Sequence, residues 1–398
     1  MNKIIAQQSK SSNLTNNELI KKITKRIDNF ITDRIHNLEM GDALLKNECL
    51  KKLASEFSIV LEYKAADMFF IYDEPGKEIL LEILETPSSP IKPIVSIPSP
   101  NHINRNEDTI KSFNHNNCII TICCDGVSRC SPKGEAPVNG FEASNELAQL
   151  LESEFRSNRL EKPLNNLKNI LNSENNFEKI EKALKSLLRN VHQILTEIEL
   201  DEARSATTLE LTIELESENT PYLIAISYGD SETLLYNKTE NTTTQLNSSL
   251  YKNGAQINKI EDLIGRQTLS RSVSTVQNYI NGTGPKELGS LTWGKIDENS
   301  NMYITCTDGL TDALSKRVKS GSNVRLDKTF LNDLLKFSES QGYSDEKTAK
   351  FLTLIAVIVT AKPDDISVCT RHVSKKSDPN NVPSSPNIYP PTNCCRLS

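Results

Sequence analysis

The sequence predicts an α+β fold in which helices cover antiparallel sheets. Three observations carry this. First, apolar runs of strand length end in or start from acidic turns: Cys118-Ile-Ile-Thr-Ile-Cys-Cys-Asp125-Gly126, Tyr222-Leu-Ile-Ala-Ile-Ser-Tyr-Gly229-Asp230-Ser231, Met302-Tyr-Ile-Thr-Cys-Thr-Asp308-Gly309-Leu-Thr-Asp312, and Pro363-Asp364-Asp365 ahead of Ile366-Ser-Val. Second, a block of helical periodicity at about 141–203 separates the early strands from the late ones. Third, strands, then long helices, then strands again is the order of an α+β domain, not of alternating βαβ units.

The elements follow in order. Residues 1–65 read as helical, because Leu14, Leu19, Ile20, Ile23, Ile27, Ile31 and Ile35 recur at three- and four-residue steps. Such a face suits core packing or partner contact better than a cofactor site. Residues 66–86 mix apolar runs with the turn pair Pro75-Gly76, and Pro87, Pro90, Pro93, Pro98 and Pro100 then forbid one continuous helix. A boundary near residue 88 is expected, giving a helical N-terminal extension over 1–88, a main domain over 89–374 and a flexible tail over 375–398.

Within the domain, residues 92–126 alternate strand-like runs and polar turns. The helical block shows Leu147, Leu150, Leu151 and Phe155, then Leu184, Leu187, Leu188, Val191 and Ile194, with Pro163 and the Asn-rich stretch at 173–176 between helices. Thr207-Thr208-Leu-Glu-Leu-Thr-Ile-Glu-Leu alternates as a half-buried strand does. Gly229-Asp230-Ser231 reads as a hairpin turn between strands at 222–227 and 233–236. Residues 345–359 read as a buried helix, 366–373 as a closing strand, and Trp293 as a core residue. The tail at 374–393 holds Pro, Ser, Asn and Lys and little that can pack.

Composition narrows the function. The chain has 398 residues, 37% hydrophobic and 25% charged, as a soluble globular protein does, with a formal net charge of −6. That balance argues against a general nucleic-acid binder, and no nucleic-acid partner is expected. Nine cysteines show no zinc-ribbon spacing, and the internal ones read as small buried hydrophobes in a reducing compartment. The N-terminus lacks the apolar core of a signal peptide, and the apolar run at 351–359 is too short to span a bilayer, so the body is expected to be cytoplasmic.

Each acidic turn alone is an ordinary turn. Together they would bring carboxylates to one sheet rim, and clustered carboxylates repel unless a hard divalent cation sits among them. The full succession is Asn106-Glu107-Asp108, Asp125-Gly126, Ala206-Thr207-Thr208, Gly229-Asp230-Ser231, Asp308-Gly309-Leu310-Thr311-Asp312 and Asp364-Asp365-Ile366-Ser367-Val368. It resembles, over roughly 92–373, the metal-dependent type 2C Ser/Thr protein phosphatases, the PPM family.

The resemblance implies a four-layer α-β-β-α sandwich, two antiparallel sheets flanked by helices. It implies two Mg2+ or Mn2+ ions, with a third site, acting on a phosphoprotein substrate. Asp125 would bridge the two ions, the Gly126 carbonyl would hold one, and Asp308 and Asp364 the other. Asp125, Asp308 and Asp364 would thereby be the catalytic set. Glu107 and Asp108 would anchor metal-bound waters, Asp230 and Asp312 match positions of a weaker third ion, and Asp365 would be support. Specificity would lie in loops at about 240–290 and in the N-terminal extension. Two departures stand out. After Asp125-Gly126 the chain reads Val127-Ser128-Arg129-Cys130, without the histidine some members offer, and Ile103 occupies the place of the family's phosphate-binding arginine. Arg105 is the nearest replacement, with His102 and Arg129 as others. A weak pseudophosphatase acting as a binding adaptor is therefore the alternative to an active hydrolase, and a hydrolase of small phosphoesters or nucleotides is a third reading.

The sequence ends Cys394-Cys395-Arg396-Leu397-Ser398, which fits a prenylation box at Cys395 with Cys394 as a second lipidation site. The competing reading is coincidence. A prenylated tail would give membrane contact, and a eukaryotic modification on a chain of Asn/Lys/Ile-rich, bacterial-looking composition resembles effector proteins secreted into a host cell.

Overall fold

A computed structural model describes residues 16–34, 94–99, 106–127, 140–157, 159–173, 177–198, 206–217, 220–246, 257–264, 271–272, 280–281, 284–285, 287–297, 301–317, 323–360 and 364–373. In chain order the elements are α1 (Asn16–Arg34), β1 (Ile94–Ile97), β2 (Thr109–His115), β3 (Cys118–Cys124), β4 (Gly126–Val127), α2 (Gly140–Arg156), α3 (Glu161–Ser173) and α4 (Phe177–Glu197). Then come β5 (Ala206–Thr207), β6 (Leu209–Ser217), β7 (Thr220–Tyr228), β8 (Glu232–Asn237), β9 (Thr242–Gln245), β10 (Ile257–Lys259), α5 (Ile260–Leu263), β11 (Arg271–Ser272), β12 (Ile280–Asn281) and β13 (Ser290–Lys295). The last are β14 (Asn301–Cys306), α6 (Asp308–Ala313), β15 (Ser315–Arg317), β16 (Asn323–Leu326), α7 (Lys328–Ser340), α8 (Asp345–Val359) and β17 (Ile366–His372).

The strands form a five-stranded sheet, β1-β17-β14-β8-β9, and a six-stranded sheet, β10-β13-β7-β6-β3-β2. Two small three-stranded sheets, β11-β16-β15 and β12-β5-β4, lie beside them. Among the described residues, pairing is antiparallel except between β10 and β13, which run parallel, so the purely antiparallel expectation needs that one correction.

The helices form where sequence signals ask for them. Pro163 sits in the first turn of α3, where a missing N–H breaks no helical bond. Along α4, Ile180, Ala183, Leu184, Leu187, Leu188, Val191, Ile194 and Leu195 make one buried stripe. Ser344 caps α8 by accepting from the Lys347 N–H, and Asp345 and Glu346 place negative charge in its first turn.

Three apolar cores result, the smallest of them, with Leu223, Ala225, Leu235 and Tyr303, lying between the two large sheets. In one of the larger two, Leu209, Leu211, Ile213 and Leu215 of β6 and Ile120 and Ile122 of β3 pack against α2, α3 and α4, and Trp293 of β13 lies in the same core. In the other, Leu234 and Tyr236 of β8 and Met302, Ile304 and Cys306 of β14 pack against α7 and α8. The odd and even residues of these strands point opposite ways, so the faces turned away from the helices meet each other. There Thr212 Oγ1 lies 2.9 Å from Thr233 Oγ1 and 3.0 Å from Thr305 Oγ1, joining β6 of one sheet to β8 and β14 of the other. The Thr/Glu positions of β6 thus face a second sheet instead of water, and Glu210 and Thr212 are wholly buried. The half-buried expectation for this strand is corrected accordingly.

A second correction concerns Gly229-Asp230-Ser231. β7 pairs with β6 and β13, whereas β8 pairs with β14 and β9, so this turn carries the chain between sheets and is not a hairpin. Gly229 takes φ +96°, open to glycine without strain, and a Cβ there would meet Thr208.

The amphipathic face of α1 does pack. Leu19, Ile23 and Ile27 are buried in the same core as α7 and α8, and Lys22 and Arg26 reach Asp333 and Asp327 at 2.8 Å each. The expected boundaries near 88 and 374 fall outside the described residues. Among those described, no helix is long and apolar enough to cross a membrane.

Candidate metal centre

The acidic turns converge at one rim of the two sheets. Asp125, at the end of β3, Asp230, in the turn between sheets, and Asp308, first residue of α6, each bring a carboxylate oxygen within 4.8 Å of the others'. Asp125 is pinned by its main chain: its N–H donates to Thr208 Oγ1 at 3.1 Å, and its carbonyl accepts from Thr208 N–H and Thr207 Oγ1, both at 2.9 Å. Thr208 Oγ1 lies 2.6 Å from Ser231 Oγ, tying that pin to the Asp230 turn.

Asp308 is held from the other side. Thr307 bonds the closing strand β17 twice: its N–H donates to the Ser367 carbonyl at 3.1 Å and its Oγ1 accepts from Ser367 N–H at 3.0 Å. The same hydroxyl donates to Asp108 Oδ2 at 2.8 Å. Asp365 is a buried buttress, not a rim group. Its carboxylate accepts from Ser99 N–H and from Glu107 N–H, the latter at 2.6 Å. Gly126 and Gly140 approach each other so closely that a Cβ on either would strike the other's backbone. Ser144 Oγ donates to the Glu107 carbonyl at 2.6 Å, fixing the segment that bears Glu107 and Asp108.

The electrostatics describe a site short of positive charge. Burial pushes the Asp125 carboxyl well above its ordinary range, and Asp308, Asp108, Asp364 and Asp230 push it further. Burial likewise raises Asp108, with Asp365, Asp364 and Asp308 adding to it against the Thr307 hydrogen bond. The carboxylates thus compete for protons that a cation would replace. Asp108 Oδ1 is buried with no hydrogen-bond partner among the described residues. A hard-oxygen donor set, mutual repulsion and an orphaned buried oxygen nearby fit a divalent cation such as Mg2+ or Mn2+.

Of the residues singled out in the sequence, Asp125, Asp230 and Asp308 come together, and Asp108 and Asp364 lie near enough to perturb Asp125. Asp312 is four residues beyond Asp308, at the far end of α6, and is outside the tight group. Arg105, His102, Arg129, Cys394 and Cys395 fall outside the described residues. Sequence reasoning overlooked Thr307 and Ser231 as holders of the carboxylates. Their signal was adjacency alone, since each neighbours an aspartate of the cluster.

No protein-family model and no curated protein matches the chain. Solved structures similar to it include a bacterial serine phosphatase, at 17% identity over 72% of this chain and 98% of that one, TM-score 0.43. A second is the S. agalactiae serine/threonine phosphatase, at 16% identity over 70% and 96%, TM-score 0.44. A third is the catalytic domain of the serine/threonine protein phosphatase PstP in complex with two manganese ions, at 18% identity over 71% and 96%, TM-score 0.39. The likenesses span nearly the whole length of those phosphatases. At such identities and TM-scores they carry no argument, and the functional reading rests on the carboxylates themselves.

Proposed function

We propose that the chain is a Mg/Mn-dependent protein phosphatase that hydrolyses phosphoserine and phosphothreonine. The observation that carries the reading is the meeting of Asp125, Asp230 and Asp308 within 4.8 Å, in the motif order of the PPM family. In this reading the helix-covered sheet pair is that family's four-layer sandwich. Asp125, Asp308 and Asp364 hold two ions together with the Gly126 carbonyl. Asp230 and Asp312 serve a weaker third, and Arg105 contacts phosphate.

Bound there, divalent ions would neutralise phosphoryl oxygens and supply an activated nucleophile near neutral pH. The chain's own part is placement. Thr207 and Thr208 fix the Asp125 turn, Thr307 fixes Asp308 against β17, and Asp365 fixes the Glu107 backbone, so the donors stand in position before substrate arrives. Asp108, buried and bonded to Thr307, can accept a hydrogen bond given up at the rim of the cluster.

The test is hydrolysis of a phosphothreonine peptide with Mn2+, with EDTA, and with Asp308→Asn and Asp125→Asn. Mn-dependent turnover lost in both variants, with their folds intact, is expected. Full activity in both variants sinks the site assignment. Folded protein that turns over nucleotides but no phosphopeptide sinks the substrate class, and folded protein with no turnover at all leaves the adaptor.

A further inference from the structure

The helix α1 is joined to the proposed metal centre through one buried carboxylate. Asp327 stands where three elements meet. Its Oδ1 accepts from Phe330 N–H at 3.2 Å and so caps α7. Its own N–H donates to the Leu314 carbonyl at 2.9 Å, and Leu314 is the residue that ends α6, the helix of Asp308 and Asp312. Its Oδ2 accepts from Arg26 Nη2 of α1 at 2.8 Å. The Asp327 side chain is 6% exposed.

A second cation, Lys316, reaches the same Oδ2 at 3.4 Å, but its side chain is 58% exposed, and ion pairs of that kind hold little. Arg26 is 25% exposed, lies over the Phe330 ring at 5.5 Å and also reaches Asp333 at 3.5 Å, so the surrounding packing fixes its geometry. Taking away one partner of a buried pair leaves a costly lone charge. Asp327 would then turn toward water, the cap on α7 would loosen, and the backbone at 327 would no longer hold the end of α6.

We propose that Arg26 is a positioning residue: through Asp327 it sets the register of the metal-ligand helix α6, and so tunes metal affinity from a helix far away in sequence. The inference rests on the metal reading of the Asp125–Asp308 cluster. It makes α1 a working part of the catalytic body, a role distinct from any its apolar stripe would have alone. Lys22 supplies the internal control. It docks the same helix by pairing with Asp333 at 2.8 Å, without touching Asp327.

The experiment uses the full chain and Mn2+ alone as probe. Calorimetric Mn affinity and melting temperature are measured for wild type, Arg26→Met, Arg26→Lys and Lys22→Met, at a temperature where all are folded. Arg26→Met is expected to weaken Mn binding at least about fivefold, the low end of coupling between linked sites. Arg26→Lys should restore most of it, and Lys22→Met should lower the melting temperature while leaving Mn affinity unmoved. If Arg26→Met does not fold, Arg26→Gln carries the same test. Unchanged affinity in the Arg26 variant, or an equal loss in Lys22→Met, overturns the inference. A wild-type chain that binds no Mn2+ overturns the metal reading itself, so the two failures are told apart.

Discussion

Gly309→Ala is the sharpest probe of the proposed metal centre, because it adds one methyl group and no charge. Gly309 follows Asp308 at the start of α6, and its Cα faces the backbone of Asp365. A Cβ built there would lie 3.0 Å from the Asp365 carbonyl carbon, and closer still to its oxygen. Carbon atoms in good contact sit roughly 3.5 Å apart, so the two backbones must part by at least ~0.5 Å, and more for the oxygen. No side chain can rotate away, since the obstacle is backbone. Asp308 is on one side of the clash and Asp364-Asp365 on the other, so the strain opens the cluster between them. Overpacking of this kind costs about 1–3 kcal/mol, or a fall in melting temperature of roughly 4–8 °C for ~2 kcal/mol in a domain of this size. Mn affinity should fall about tenfold or more, because metal sites tolerate ligand errors of only ~0.2 Å. Calorimetry and thermal melts read both numbers. Wild-type Mn affinity with an unshifted melt would refute the argument that this close approach sets the ligand spacing.

Two further predictions concern titration away from the rim. Burial pushes the Glu210 carboxyl up to about 8, with Glu232 adding to it and the Ser227 and Thr233 hydroxyls opposing. Between its ordinary 4.5 and about 8 the unfolded chain sheds this proton while the folded chain keeps it, so stability falls as pH rises through that window. Glu210→Gln should flatten that fall, melting higher than wild type above pH 8 and much like it near pH 5, in EDTA; identical pH slopes would sink the idea. His372 is the opposite case: burial pulls its pKa down, but hydrogen bonds to Asp345 and Glu339 outweigh burial and raise it from 6.5 to about 9. Its stabilisation is full below pH 6.5 and lost as pH rises through about 9. The stability gap between wild type and His372→Gln, measured by urea unfolding, should therefore shrink from pH 6 to pH 10, and a constant gap would count against the pairing.

The sequence made some of this legible and hid the rest for identifiable reasons. The buried helix at 345–359 and the closing strand after Asp365 stand out because the apolar stretch 351–359, broken only by Thr353, and the alternating run from Ile366 have few other fates. The carboxylates of Asp125, Asp230 and Asp308 were found because each sits where a strand ends, and strand ends of packed sheets share a rim. Sheet membership was not legible. Gly229-Asp230-Ser231 has the composition of a hairpin turn, and only the partners of β7 and β8, which are remote in sequence, show a crossing. The period-2 pattern of β6 gave the alternation correctly, but a threonine facing a second sheet looks the same in sequence as one facing water. The contact of Arg26 with Asp327 spans 301 positions and leaves no local trace.

The polar seam between the sheets explains why the acidic cluster can exist here. The two largest apolar cores lie between each sheet and its helices, and a smaller one, with Leu223 and Ala225 of β7, Leu235 of β8 and Tyr303 of β14, joins the sheets themselves, so most of the hydrophobic stabilisation of the fold lies outside the polar part of that space. The polar part of that space is lined by Thr208, Thr212, Ser231, Thr233 and Thr305, whose short hydroxyls bond across it, and by Glu210, which accepts from Thr233 Oγ1. Hydroxyl bonds fix the separation and register of two sheets more strictly than apolar contact would, because they fail outside a narrow range of length and angle. The carboxylates at the mouth of the seam inherit that register. Asp125 takes its place from Thr208, between β5 and β6, and Asp308 from Thr307 beyond β14, so their spacing is set by strands that cannot slide without breaking the seam. Repulsion among the aspartates is then borne by two rigid sheets with separate cores, which is the condition under which a cation site can stand ready before the cation arrives.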